Sequence, residues 1–280
     1  MTQEKILPFV EHLVELRKRL IIIIVAVVIG MGIAWNVADD LLAFIEKPLT
    51  GHTYLTEVKT RVHAAVRAHY PEMAARYVPD PAKSADRAAD RKLNYSAPLE
   101  PFFIQCKISL IAGLILALPL VFHQVWLFVA PGLRQRERRL LVPFVVISTV
   151  SFCIGALFFL TIIWPVIINF SLSYETEGLR SWLNLSAYVN FCLRLILVFG
   201  LIFELPILVF LLSRFGLVSG AFLAKNRKYA VLASAIIAAF HADLITMLVV
   251  MIPLYLMYEV SIWVAKIFGR KRVVDQAARA

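Results

Sequence analysis

Three observations predict an all-α polytopic membrane protein with six transmembrane helices. Hydrophobic residues make up 60% of the chain, and mean hydropathy is +0.78. Several uncharged runs approach or exceed the roughly 18 residues that a spanning helix needs. The net charge of +10 is placed unevenly: 17 of the 29 lysines and arginines lie in residues 1–19, 131–139, 213–228 and 266–280. Those segments alternate with the loops assigned outside, which is the positive-inside pattern and puts both termini in the cytoplasm. Topology thus explains the charge without invoking nucleic acid. One membrane domain over 1–280 is expected, with a short cytoplasmic tail at 269–280.

Each element follows in order. Leu20–Ala38 is 19 uncharged residues behind Arg17-Lys18-Arg19, a first span that starts inside. Residues 47–99 form a long polar extracytoplasmic loop. Within it Leu55, Val58, Val62, Ala65 and Val66 recur at helical spacing, so a short amphipathic helix is expected. Pro71, Pro79, Pro81 and Pro98 limit its extent. Nine basic residues there run against positive-inside, a rule that long loops escape.

Ile108–Ala130 is a second span, returning to the basic run Arg134, Arg136, Arg138 and Arg139. Leu140–Tyr174 then carries no formal charge for 35 residues, about 52 Å of helix against a hydrocarbon core of about 30 Å. Either this third helix projects beyond the bilayer or Pro165 breaks it. An outer loop at 175–187 leads to a fourth span around 188–212. At the carboxyl end, Tyr229–Ala242 has 14 uncharged residues, Asp243 interrupts, and Leu244–Tyr258 has 15 more. The last two helices are therefore expected to be short, with either local bilayer thinning or tilt and protein contact making up the length. Trp35, Trp126, Trp164 and Trp263 fall near the expected span ends, as interfacial anchors do.

The amino-terminal residues lack a cleavable signal pattern, since Glu4, Glu11 and Glu15 precede the first apolar run. Cys106, Cys153 and Cys192 lie in or beside separate apolar segments without metal-binding spacing and read as packing residues. No HExxH, GxSxG or phosphate-cradling glycine loop occurs, so catalytic residues, metal and cofactor are all expected to be none.

Three polar features remain. Glu204 sits in the otherwise uncharged stretch Leu195–Leu212, close to the bilayer midplane. A charge there costs a few kcal/mol and normally faces a protein interior, a cavity or a partner. The stretch Glu11–Arg19 reads as a juxtamembrane helix with i,i+4 ion pairs and a topogenic basic cluster. Glu137 is the one acid among four arginines on a short inner loop. Its simple role is a neighbour salt bridge. Its functional role would be to receive an incoming guanidinium jointly with Glu15, since carboxylates grip arginine bidentately and lysine lacks the planar fork. Two classes of function fit: a peptide receptor with a partner-helix contact, or a proton- or ion-coupled secondary transporter using Glu204. The transporter reading expects repeated halves and interrupted helices around a midplane site, and no repeat is evident.

His12-Leu13-Val14-Glu15-Leu16-Arg17-Lys18-Arg19-Leu20 resembles the amino-terminal signature of the TatC family, the receptor subunit of the Sec-independent twin-arginine protein translocase. Val125–Leu133, Glu137-Arg138-Arg139 with Val142-Pro143, and Phe203-Glu204-Leu205-Pro206 extend the resemblance across the spans in order. It implies a glove-shaped, concave six-helix protein of the bacterial inner membrane that binds Arg-Arg signal peptides of folded precursors. By the same resemblance, Glu15, Arg17, Phe128 and Glu137 bind the signal peptide. Glu204 meets the helices of small single-span partner subunits of the TatA and TatB type, within a multimeric complex driven by the proton gradient. Pro48 and Asp243 match positions of the outer cap. The sequence departs from the family at Phe240-His241-Ala242-Asp243, where Pro-Pro-Asp is common, and in the greater length of the 47–99 loop.

Overall fold

The computed structural model describes residues 9–50, 54–69, 91–129, 141–175, 181–214, 216–239 and 244–268. Glu137, Asp243 and the expected tail at 269–280 lie outside the described residues. Among those described, the structure is helical with a single isolated bridge, Asn94 to Asn184. The helices are α1 (Phe9–Ala34), α2 (Ala38–Glu46), α3 (Tyr54–His69), α4 (Glu100–Val129), α5 (Leu141–Phe158), α6 (Trp164–Leu172), α7 (Leu185–Arg214), α8 (Gly220–Lys225), α9 (Arg227–Ala238) and α10 (Leu244–Phe268). A 3-10 turn, Trp35–Val37, joins α1 to α2, and a π-helical turn, Phe159–Ile163, joins α5 to α6.

Five stretches among the described residues are long and apolar enough to cross a membrane: Leu13–Glu46, Glu100–Phe128, Val142–Leu172, Leu185–Arg214 and Met247–Phe268. Their surfaces are apolar too. On α1, Ile21, Ile24, Val25, Val28 and Ile29 are all exposed. Such a stripe is untenable in water and ordinary in lipid. The protein is a multi-pass membrane protein.

Of two questions about helix length, one is decided between its alternatives and one expectation is corrected. The third span is unbroken through Pro165. A proline has no N–H to donate and its ring crowds the carbonyl four residues back. The wide turn before it absorbs this, with the Trp164 N–H donating to the Phe159 carbonyl, five residues back. The stretch Val142–Leu172 runs for 31 residues, about 46 Å, so it outreaches the hydrocarbon core. Of the last two helices only α9 is short, at 12 residues or about 18 Å. The last helix, α10, has 25 residues, because Glu259 does not end it. That carboxylate is paired with Arg227, as described below, and the helix continues past the end of the uncharged run.

The described residues divide into two compact units. The first comprises Met1–Lys47, Arg91–Cys153 and Trp182–Leu193. Its axis is the antiparallel pair of α1 and α4, which touch at glycines. A Cβ on Gly30 would lie 2.5 Å from the Gly113 carbonyl oxygen, and one on Gly113 would overlap the Met31 backbone nitrogen. In lipid, where apolar surface gains nothing by leaving its solvent, such backbone approach is what lets helices associate. At the Glu100 end of α4, Trp35 meets Phe102 edge-on at 6.0 Å. At the opposite end Trp126, 2% exposed, packs on Phe144 at 4.3 Å.

The second unit comprises Pro48–Asp90, Ile154–Ser181 and Arg194–Ala280. Phe158, Phe159, Trp164, Phe199 and Phe203 form an aromatic core, with Phe159 and Phe199 centroids 5.2 Å apart. Gly155 permits it, since a Cβ there would sit 2.7 Å from the Phe199 carbonyl oxygen. Trp126 and Trp164 are therefore core residues rather than interfacial anchors; Trp263, 67% exposed, has the open position expected of one. The amphipathic helix expected in the 47–99 loop is present as α3, ending two residues before Pro71. Helix α7 closes with Gly216 at φ 73°, where the Leu217 N–H reaches the Leu212 carbonyl at 3.0 Å and the Gly216 N–H the Ser213 carbonyl at 3.1 Å. Only glycine takes that backbone readily. Ser219 then caps α8 through the Phe222 N–H at 3.2 Å.

Gly113→Ala should lower the melting temperature of the detergent-solubilised protein, a destabilisation of about 2 kcal/mol by overpacking. Gly32→Ala, where a Cβ meets nothing within 4 Å, should be neutral or mildly stabilising. Equal melting temperatures for the two variants would contradict the glycine contact.

Candidate functional site

The first candidate site is built on the amino-terminal turns of α1. Helix α1 begins well before the apolar run, so Glu15 and Arg19 fall one turn apart on one face. They form an ion pair between Glu15 Oε1 and Arg19 Nη2, with side chains 28% and 17% exposed respectively. The Arg19 Nη1 also donates to Gln124 Oε1 on α4, at 3.5 Å. Phe128, half-buried, follows Gln124 by one helical turn. The structure therefore links Glu15, through Arg19, to the last turns of α4, where Phe128 sits. Arg17 is exposed on α1. Glu137 cannot be placed beside them, because it lies outside the described residues.

Sequence reasoning missed Gln124, which reads as an ordinary interfacial amide. The Glu15–Arg19 pairing was legible as an i,i+4 pair; the cross-helix acceptor was not.

Glu204, the second candidate, lies in the middle of α7 and in the second unit. It is half-buried, with Oε1 enclosed. It follows Phe203, whose ring meets Phe158 at 5.6 Å. Helix α7 is continuous through Glu204 and Pro206. A transporter-type midplane site normally sits where helices are interrupted, and this helix is not. Pro48 is buried in the turn after α2.

Two further polar assemblies went unanticipated. Glu100 joins the starts of two helices in the first unit. Its Oε2 accepts from the Ser96 N–H at 2.8 Å and the Ala97 N–H at 3.3 Å, while Oε1 accepts from the Ser186 N–H at 2.9 Å. A carboxylate satisfies N–H groups that helix starts leave open and favours their positive dipole ends. Around it, Asn94 accepts from the Leu185 N–H at 2.8 Å and donates to the Leu183 carbonyl at 2.9 Å. Lys107 donates to Asn190 at 3.0 Å, and the Tyr188 hydroxyl donates to the Ile45 carbonyl at 2.9 Å.

In the second unit Arg227 binds Glu259 at 2.8 Å, and the Tyr255 hydroxyl donates to the same carboxylate at 2.9 Å. Tyr258 donates to the Leu223 carbonyl at 2.8 Å, and Gly220 admits the Lys266 stem. These contacts hold α8 and α9 to α10. Glu259 was visible in the sequence but its partner, 32 residues away, was not. Among the described residues no group of three or more His, Cys, Asp or Glu is arranged to hold a metal. The three cysteines are free, Cys192 fully buried.

The family model for Sec-independent protein translocase protein (TatC) matches residues 11–253. The chain is 33% identical over 280 residues to the Sec-independent protein translocase protein TatC of Desulforapulum autotrophicum, covering 99% of this chain and 91% of that one. With the TatC of Aquifex aeolicus the identity is 34% over 275 residues, covering 97% and 100%. Among solved structures it is similar to a crystal structure of the twin arginine translocase receptor TatC. The TM-score is 0.69 and the identity 33%, over 92% of this chain and 100% of that chain. A second crystal structure of that receptor, in DDM, gives a TM-score of 0.70 at 32% identity, over 91% and 99%.

Arg227→Gln should raise backbone amide exchange across 220–238 by a few-fold, and Glu259→Gln should do the same. Exchange unchanged in both variants would show that the pair does not hold α8 and α9.

Proposed function

The chain belongs to the TatC family of Sec-independent protein translocase proteins, and from that premise we propose that it is the signal-peptide receptor of a twin-arginine translocase. It is a translocase component; the finer assignment is that it binds Arg-Arg signal peptides of folded precursors on its cytoplasmic face. It also organises small single-span partner subunits for proton-gradient-driven export across a bacterial inner membrane, with both termini in the cytoplasm.

The observation that carries this reading is the guanidinium already held at Glu15. Arg19 pairs with that carboxylate next to the end of α4 that carries Phe128, which supports an arginine-accepting role for Glu15. An incoming arginine pair would bind Glu15 and Glu137 through charge-assisted, fork-shaped hydrogen bonds. Phe128 would bear on the peptide's apolar part, and Arg17 would add to the binding surface. Similarity to a crystal structure of the twin arginine translocase receptor supports the same role.

Glu204 serves a different step. By the family resemblance it would be a handhold for a partner subunit's transmembrane helix, a role open to a carboxylate placed within a span. Pro48 and Asp243 belong to the outer cap that keeps the spans in place. The short α9 would thin the adjacent bilayer, which needs no bond-breaking chemistry.

Glu15→Ala and Glu137→Ala should each reduce site-specific crosslinking to an Arg-Arg signal peptide by about tenfold or more, the scale of losing a charge-assisted hydrogen bond. Crosslinking to a Lys-Lys version should change far less, and equal loss for both peptides would refute guanidinium recognition. Glu204→Ala should leave signal-peptide crosslinking intact and alter crosslinks to partner transmembrane helices. Unchanged partner contacts and transport would reduce Glu204 to a tolerated core residue.

A further inference from the structure

We propose that Arg19 is a specificity-determining residue: an internal guanidinium that occupies Glu15 at rest and must be displaced, so that arginine enters and lysine is turned away. This rests on the reading of Glu15 as the signal-peptide carboxylate. Three features of the Arg19 side chain support it. It contacts Glu15 through one nitrogen and one carboxylate oxygen, Nη2 to Oε1, rather than as a two-pronged fork. Its second anchor, Gln124, is a neutral amide at the long distance of 3.5 Å. Its Nε is buried and has no hydrogen-bond partner among the described residues. Arg19 is thus held, but below the capacity of its five donors.

Exchange then ranks the two candidate cations. An incoming arginine can engage both oxygens of Glu15, exceeding the single-pronged internal contact. Displaced Arg19 remains tethered close by, and its head regains water. An incoming lysine brings one compact, strongly hydrated ammonium that offers no fork and loses more hydration on entry. It would replace one single-pronged contact with another while giving up that hydration. The internal arginine therefore works against the wrong partner, raising discrimination by competition rather than by any added contact to the right one. Arg17 and Lys18 lie on other faces of the same turn and keep the basic topogenic cluster when Arg19 is changed.

The test measures affinities of Arg-Arg and Lys-Lys versions of one signal peptide for the full-length protein in nanodiscs. Arg19→Gln should strengthen Lys-Lys binding by about threefold, the scale of a partly exposed ion pair. Arg-Arg binding should change less, so the Arg-Arg to Lys-Lys affinity ratio falls. Gln124→Leu, which removes the second anchor of Arg19 while leaving every charge in place, should lower the ratio in the same direction by a smaller factor. It serves as the check should Arg19→Gln not fold. A ratio that is unchanged or higher in both variants overturns the proposal. Glu15→Gln, measured in parallel, separates this from the underlying reading. If it weakens Arg-Arg binding while the ratio is insensitive to Arg19 and Gln124, the competition alone fails. If Glu15→Gln has no effect on Arg-Arg binding, the placement of the peptide at Glu15 fails with it.

Discussion

In a hydrocarbon solvent the helices gain nothing by hiding apolar surface from one another, and this constraint shapes every feature of the protein. What remains to hold spans together is close backbone contact and polar pinning. The structure uses both. Gly30 and Gly113 bring α1 and α4 into backbone contact, and Gly155 admits the aromatic rings of α7. Glu100 fastens two helix starts with one carboxylate, and Arg227 with Glu259 fastens two short helices to a long one. Each pin satisfies polar groups of two or more segments with one carboxylate. Side chains such as Ile24 and Val28 on α1 are left facing outward, which is the inverse of a soluble protein's economy.

The same constraint separates structural from recognising carboxylates. Glu100 is committed to backbone N–H groups and Glu259 to Arg227 and Tyr255, both by geometry at ordinary distances. Glu15 is held through a single oxygen by a residue on its own helix, next to the membrane surface where an exchange of partners costs little. Glu204 lies well inside an apolar helix, half-buried beside an aromatic core. Recognition belongs where a carboxylate can change partners and structure belongs where it cannot. In the proposed reading, signal-peptide recognition and partner-helix contact therefore fall to different carboxylates, Glu15 and Glu204.

Much of the fold was legible because lipid imposes simple rules on sequence. The uncharged run from Leu20 located the first span, and the i,i+3/i+4 apolar pattern from Leu55 to Val66 located α3. Run length failed as a measure of helix length at the carboxyl end. A single charge at Glu259 ends an uncharged run but not a helix once Arg227 neutralises it. Pro165 was equally ambiguous, since a π turn that accommodates a proline has no sequence signature. Trp126 and Trp164 misled because an aromatic at a span end serves the interface or the core with the same residue type. At the candidate site, Glu15, Arg17, Phe128 and Glu204 stood out by motif and depth. Gln124 did not, since its meaning comes from a neighbour 105 positions away.

The central claim is that this translocase component reads a pair of guanidinium groups at its cytoplasmic surface. The most direct measurement is capture of a folded precursor by the unmodified, purified protein, comparing an Arg-Arg signal peptide with its Lys-Lys counterpart at fixed salt. Arg-Arg precursor should be retained and Lys-Lys precursor should wash through. Equal retention of the two would mean that charge alone is recognised, and the guanidinium account would fall.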